Sequence, residues 1–273
     1  AMIRMKQHAP RRGAGLRATA PRVKTTPLLG YGSVEDAKYT ALEDKIRLEH
    51  QMQPKIAVLI PVLMRPHRVA PLLASFRAAT PESIAKIYFV AQRSDREELA
   101  AIDASGQTPI LVDDADRSWA KKINRGYSAT TEPWILLGAD DLAFHAGWTD
   151  KISSLLIQFG GVIGTNDLGN AATIRGHGST HPLVRRAYAD IFGTADEAGK
   201  IVHEAYDHNF PDAELVMTAK RRALFTHVRT CIIEHLHPLW RKAPQDHVYQ
   251  LGRRNWKADQ ALYVQRCKQF GLV

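Results

Sequence analysis

Two adjacent carboxylates, Asp140 and Asp141, close an apolar run, Trp134-Ile135-Leu136-Leu137-Gly138-Ala139, that is long enough for one buried strand. Hard oxygen donors at the carboxyl end of a strand can hold a divalent cation against a phosphate, and ligands of open α/β sheets gather there. Asp-Asp is also ordinary turn material, so its chemistry depends on what else reaches it. His235 and His237 lie two residues apart, and on an extended backbone both imidazoles fall on one face. They are candidates to complete a metal site or to grip a diphosphate; the plainer alternative is a hydrogen-bonded pair in a chain with 12 histidines. Asp212 and Glu214 open a helix after Pro211, where carboxylates suit the helix dipole. Arg65, Arg68, Lys122 and Lys242 are cations that could face an anion, or else solvated surface charges. Trp148 and Trp240 could stack on a sugar or base, or pack in the core.

These groups need a scaffold, and the apolar pattern supplies one. A charged helix over 41–51 leads to a strand over 55–61, a loop bracketed by Pro61 and Pro66, and an amphipathic helix over 69–78. A strand at 86–91, a helix at 96–104, a strand at 109–112 ending in Asp113 and Asp114, and a helix at 118–130 capped by Ser118 follow. The next strand ends at Gly138. Four strands alternating with helices predict a doubly wound, mostly parallel α/β sheet. Neither GxGxxG nor GxxxxGK[ST] occurs, which leaves the dinucleotide and P-loop versions of this architecture unsupported. Beyond Asp141 the pattern predicts a helix over 147–159, a strand at 161–164, a long functional loop over 165–179, helices at 181–192 and 211–224, and a β-rich run at 226–234.

Composition narrows the setting. With 273 residues and 45% apolar content the chain can bury a full core. No run is long enough for a membrane span and no export signal is visible, so a soluble cytoplasmic protein is expected, with Cys231 and Cys267 suited to a reducing compartment. The net charge of +9 is uneven. Seven basic residues and no acid fall within 1–34, leaving 30 basic against 28 acidic residues in the rest. Residues 1–34 therefore read as a basic flexible arm, suited to phosphate backbones or simply solubilising.

The segment Trp119-Ala120-Lys121-Lys122-Ile123-Asn124-Arg125-Gly126, followed by a strand and Gly138-Ala139-Asp140-Asp141, resembles the central signature of nucleotide-sugar glycosyltransferases of the GT-A fold, especially family two. The resemblance implies a nucleotide-sugar-binding half over 35–145 and an acceptor-binding half with a C-terminal helical segment over 146–273. It implies a nucleoside-diphosphate sugar such as a UDP-sugar as donor, with contacts from Pro61, Arg65, Asp95, Asp113, Lys122, Asn124, Gly138, Ala139 and Lys242. It also implies Mn2+ or Mg2+ held by Asp140, Asp141 and a late histidine, His235 or His237, and an acceptor hydroxyl activated by Asp212, with Glu214 as second choice. Gly138 stands where the family carries the first Asp of Asp-x-Asp, so one usual contact is missing. The basic arm and the absence of an anchor are similar to phage-type enzymes that glycosylate hydroxymethylated bases in DNA. On that reading the Arg185-Arg186, Lys220-Arg221-Arg222 and Arg253-Arg254 clusters would grip DNA phosphates. A polysaccharide or protein acceptor, and a catalytically weak nucleotide-sugar or nucleic-acid binding module, are the alternatives.

Overall fold

The computed structural model describes residues 33–49 and 55–272. All but the last two residues of the expected basic arm lie outside them. Those two open the first helix, α1 (Ser33–Glu49), which starts earlier than the expected 41.

The alternating first part forms as the pattern predicts. Strands β1 (Ile56–Pro61), β2 (Ala85–Gln92), β3 (Ile110–Val112) and β4 (Trp134–Leu137) are connected by helices α2 (Pro66–Ala79), α3 (Arg96–Ala104) and α4 (Trp119–Ala129). β1 pairs in parallel with β2 and β4, and β2 with β3. Every residue of β1 is buried. Ile56, Val58 and Ile60 face α2 and α3, while Ala57 and Leu59 face α4 and α1, so both faces are covered and the strand is apolar throughout. Ser118 caps α4 by accepting from the Lys121 amide at 3.2 Å. Gly126 lets that helix lie against β1, for a Cβ there would come within 2.9 Å of Leu59.

The second part departs from the expected pattern. A short strand β5 (Leu142–Phe144) follows the aspartate pair directly, and the helix expected over 147–159 is a 3-10 turn (Asp150–Ile152) with the short α5 (Ser153–Gln158). β6 (Val162–Asn166) runs into a loop that contains α6 (Ala171–Ile174). The expected helix over 181–192 divides into strand β7 (Leu183–Arg185) and helix α7 (Arg186–Ile191). Its first residues are drawn into antiparallel pairing with β4 and β6, a tertiary constraint that local pattern does not encode. α8 (Pro211–Arg221) and β8 (Phe225–His235) follow, then the C-terminal helices α9 (His247–Arg254) and α10 (Trp256–Phe270). The strand order is β3-β2-β1-β4-β7-β6-β8-β5, a mixed, mostly parallel sheet on its β1 side. Trp148 is fully buried with its indole N–H donating to Thr80 Oγ1 at 2.8 Å, which makes it a core residue and not a stacking platform. Among the described residues no helix is long and apolar enough to cross a membrane.

Candidate active site

A cavity of about 410 Å3 opens at the carboxyl ends of β1 and β4. Its floor is Pro61, Ala139, Asp140 and Asp141, and Arg65 and Lys122 form one wall. The rest of the lining comes from the N-terminus of α8 with Asp212, from His235 and His237 at the end of β8, and from Trp240 and Tyr249 beyond it. Ten of the residues that the sequence nominated thus meet in one place although they are spread over some 180 positions of chain.

The two aspartates have divided partners. Asp140 accepts from Arg65 Nη1 at 2.9 Å, and the same guanidinium donates through Nε and Nη2 to Asp246 at 2.9 and 2.8 Å. Arg65 also stacks on the Tyr249 ring at 3.8 Å. Burial works against its charge, but Asp140 and Asp246 more than compensate and raise its pKa above the ordinary arginine value. Burial and the Asp141 charge push the Asp140 carboxyl upward. Burial acts the same way on Asp141, yet His235 and Tyr249 outweigh it and hold Asp141 ionised below the usual carboxylate range. The Tyr249 hydroxyl donates to Asp141 Oδ2 at 2.7 Å.

Asp141 Oδ1 is buried and accepts no hydrogen bond; His235 Nε2 lies 3.1 Å from it, at ion-pair distance without hydrogen-bond alignment. Two donors at that separation suit adjacent positions on one divalent cation, since bonds of about 2.1 Å at right angles put cis ligands about 3.0 Å apart. Among the described residues no group of three or more His, Cys, Asp or Glu side chains is gathered around one metal position. The residues therefore fit a cation held by two protein donors whose remaining positions go to substrate oxygens, a common arrangement for Mg2+ at phosphates.

The missing first aspartate has a steric cause. A Cβ on Gly138 would stand 2.5 Å from Ile60 Cδ1 and 2.8 Å from the Leu59 carbonyl oxygen, and the Gly138 amide donates to that same carbonyl at 2.9 Å. The position is pressed against β1 and has no room for a side chain.

Lys122 is buried, donates to the Val62 carbonyl at 2.6 Å, and is brought down to about 8 by burial against the opposing pull of Asp95, Glu98 and Asp140. Asp212 is half-buried at the first turn of α8, and burial lifts its carboxyl to about 6 against the backbone amides of Ala213 and Asp212. It follows Phe210, a non-glycine residue held at φ 72, the kind of backbone strain that collects at functional sites.

Other nominated residues stand elsewhere. Glu214 points away from the cavity into a buried pair with Arg266 at 2.8 Å and accepts from the Tyr206 hydroxyl at 2.6 Å. Asn124 is buried and holds the main chain at Ile201 and Val202. Asp95 caps α3 and accepts from the Met64 amide at 2.7 Å, steadying the loop that carries Arg65. Asp113 is exposed beside Arg93, and Lys242 pairs with Glu234 at 2.6 Å. Of the basic clusters, Arg185, Arg186 and Arg222 turn inward: Arg185 pairs with Glu49, Arg186 donates to the carbonyls of Glu132 and Tyr127, and Arg222 to those of Gly193 and Thr194.

Three cavity residues, His181, His208 and Tyr249, and Asp246, which holds Arg65, have no counterpart in the sequence reading. His181 is buried with Nδ1 donating to the Leu137 carbonyl at 3.0 Å, and burial, then His235, brings its pKa down to about 4. His208, Asp246 and Tyr249 come from loops and helices after the signature, where no periodicity or spacing ties them to the aspartates.

The sheet is that of the GT-A type of glycosyltransferase, a mixed, mostly parallel α/β layer with helices on both faces. Glucosyl-3-phosphoglycerate synthase from Mycobacterium tuberculosis, solved with Mn2+, UDP-glucose and phosphoglyceric acid, superposes with a TM-score of 0.55 at 12% identity, covering 83% of this chain and 82% of that one. The same enzyme with Mg2+ and UDP gives 0.55 over 88% of this chain and 85% of the other, at 12% identity. A mannosyltransferase from Pyrobaculum calidifontis bound to GDP-mannose and Mn2+ gives 0.52 at 11% identity, over 81% and 71%. At these identities the likeness is one of fold. No protein-family model and no curated protein sequence matches the chain.

Proposed function

We propose that the protein is a metal-assisted glycosyltransferase that moves a sugar from a nucleoside-diphosphate sugar to an acceptor hydroxyl. One observation carries this reading: a single cavity sets Arg65, Lys122, Asp141 and His235 against Asp212, a carboxylate lifted to about 6. The fold is shared with enzymes crystallised with UDP-glucose and with GDP-mannose, in both cases beside Mn2+, which supports the choice of donor class.

Each residue has a task that its surroundings permit. Arg65, fixed by Asp140 and Asp246, and Lys122 face the diphosphate, where a preorganised cation stabilises charge that grows as the sugar departs. Asp141 and His235 would hold Mn2+ or Mg2+, which when bound neutralises the leaving diphosphate. Asp212 accepts the proton of the acceptor hydroxyl; a base with a pKa near 6 is ionised at neutral pH yet still basic enough to pull. A base at the acceptor hydroxyl serves direct displacement, in which the acceptor attacks opposite the leaving diphosphate and the product is inverted.

For the acceptor, the hydroxymethylated base of a modified DNA is the reading favoured by the acid-free basic arm. The test is transfer from UDP- and GDP-sugars, with Mn2+, onto duplex DNA with or without hydroxymethylated bases. Transfer confined to the modified duplex supports this acceptor, and transfer only to a glycan or a protein refutes it. An anomeric NMR signal retained from donor to product would remove the inverting role from Asp212.

A further inference from the structure

Two long stretches of sequence contain no acidic residue, 168–189 and 215–233, and the fold lays them side by side. The first holds α6 and the turn after it; the second holds the end of α8 and the start of β8. Lys220 Nζ donates to the His177 carbonyl at 2.6 Å, and Arg229 donates through Nη2 to the Arg175 carbonyl. These contacts pin the cations in place without neutralising them. Arg175, Lys220, Arg221 and Arg229 are all exposed, and none forms an ion pair among the described residues. Gly176, at φ 80, sits beneath Arg229, 3.3 Å from its Nε when a Cβ is placed there. β8 is irregular at this point, its register against β6 shifting between Gly164 and Asn166, so Arg229 projects from a bulge and not from a flat edge.

The ridge is joined to the cavity. Asn170 and Thr180, the residues on either side of the α6 turn, both line it.

We infer that this ridge docks the phosphodiester backbone of a nucleic-acid acceptor, an inference that rests on the transferase reading above. The charges are exposed and spread over three elements, whereas a site for one small phosphate would bury a guanidinium around it. Spread cations without carboxylates suit a repeating phosphate chain, whose affinity comes from counterion release. The ridge also replaces the inward-facing Arg185, Arg186 and Arg222 as the phosphate contacts of the folded part.

The test is fluorescence anisotropy of the full chain with a short duplex DNA over a range of salt, for the wild type, for Arg175→Ala and for Arg175→Ala/Arg229→Ala. Arg175 is the clean substitution because its side chain forms no hydrogen bond or ion pair among the described residues. The single variant is expected to lower the slope of log K against log salt by about 0.9 and the double by about 1.8, with roughly tenfold weaker binding in the double. Residues 1–32 contribute the same background to all three proteins. Affinity and slope unchanged in both variants overturn the proposal. Binding of phosphatidylserine vesicles that depends on Arg175 and Arg229 while DNA binding does not overturns it as well. A parallel titration with UDP and Mn2+ separates the two readings, since neither variant touches the donor site: loss of DNA binding with UDP binding intact supports the ridge, and absence of UDP binding in the wild type counts against the transferase alone.

Discussion

The β1–β4 side of the sheet and the β6–β8 side contribute to one cavity by different means. On the first side, regular strand-helix alternation places functional groups at strand ends, where the topology itself delivers them: Pro61 after β1, Asp140 and Asp141 after β4. On the second, the functional groups come from a strained helix start, the end of a bulged strand and a C-terminal helix, held by long-range polar contacts such as Tyr249 to Asp141. The contrast teaches that the β1–β4 side is fixed by the fold and the β6–β8 side by particular pairs of residues, so substitutions should damage the two sides in different ways.

The largest effect is expected at the first turn of α8, where two carboxylates two residues apart have separate tasks. Asp212→Asn removes the base and should slow transfer by about 100- to 10,000-fold while the thermal midpoint stays near that of the wild type. Glu214→Ala leaves Arg266 with Asp196 alone and deprives the buried Tyr206 hydroxyl of its acceptor, and should cost about 1–3 kcal/mol of stability, read by urea denaturation. If Asp212→Asn unfolds the protein instead, or Glu214→Ala abolishes transfer in a fully folded chain, the assignment is reversed.

On the β1–β4 side, Gly138→Asp recreates the usual Asp-x-Asp pattern but forces a side chain against the Leu59 carbonyl and Ile60. It is expected to destabilise the fold by about 1–3 kcal/mol and to leave Mn2+ affinity no better. Tighter Mn2+ binding in a stable variant would show that the sheet has room that its packing denies.

A smaller change follows from pH. Asp212 must be ionised to accept a proton, and its carboxyl is lifted to about 6, so the transfer rate should fall as pH drops through 6 and level off above 7. A flat profile between 5 and 8 would take the base role from Asp212. Smallest of all is Tyr249→Phe, which removes one hydrogen bond to Asp141 and should alter donor affinity by about 0.5–1.5 kcal/mol while leaving the parallel strands intact.

The β1–β4 side was largely legible because burial on both faces imposes continuous apolar runs, and because strand ends are read off as soon as those runs are found. The Asp140-Asp141 placement followed directly, whereas Lys122 and Asp212 came from the resemblance to the glycosyltransferase signature. Glu214 shares the first turn of α8 with Asp212 and does something else, since first-turn acidity says nothing about which way a side chain turns on a helix. The β7 strand was read as helix because its pairing with β4 and β6 is a non-local constraint. Tyr249, Asp246 and His181 were invisible for a related reason: each acts through one contact with a residue far away in sequence, and no local pattern encodes such a contact.

The central claim is that Asp141 and His235 bring a divalent cation to a nucleoside diphosphate in this cavity. Calorimetric titration of the full chain with UDP and with GDP, each with and without Mn2+, tests it most directly. At least one diphosphate should bind in a Mn2+-dependent manner, and Asp141→Asn should abolish that dependence. Binding of neither diphosphate, or binding indifferent to both Mn2+ and Asp141, would contradict it.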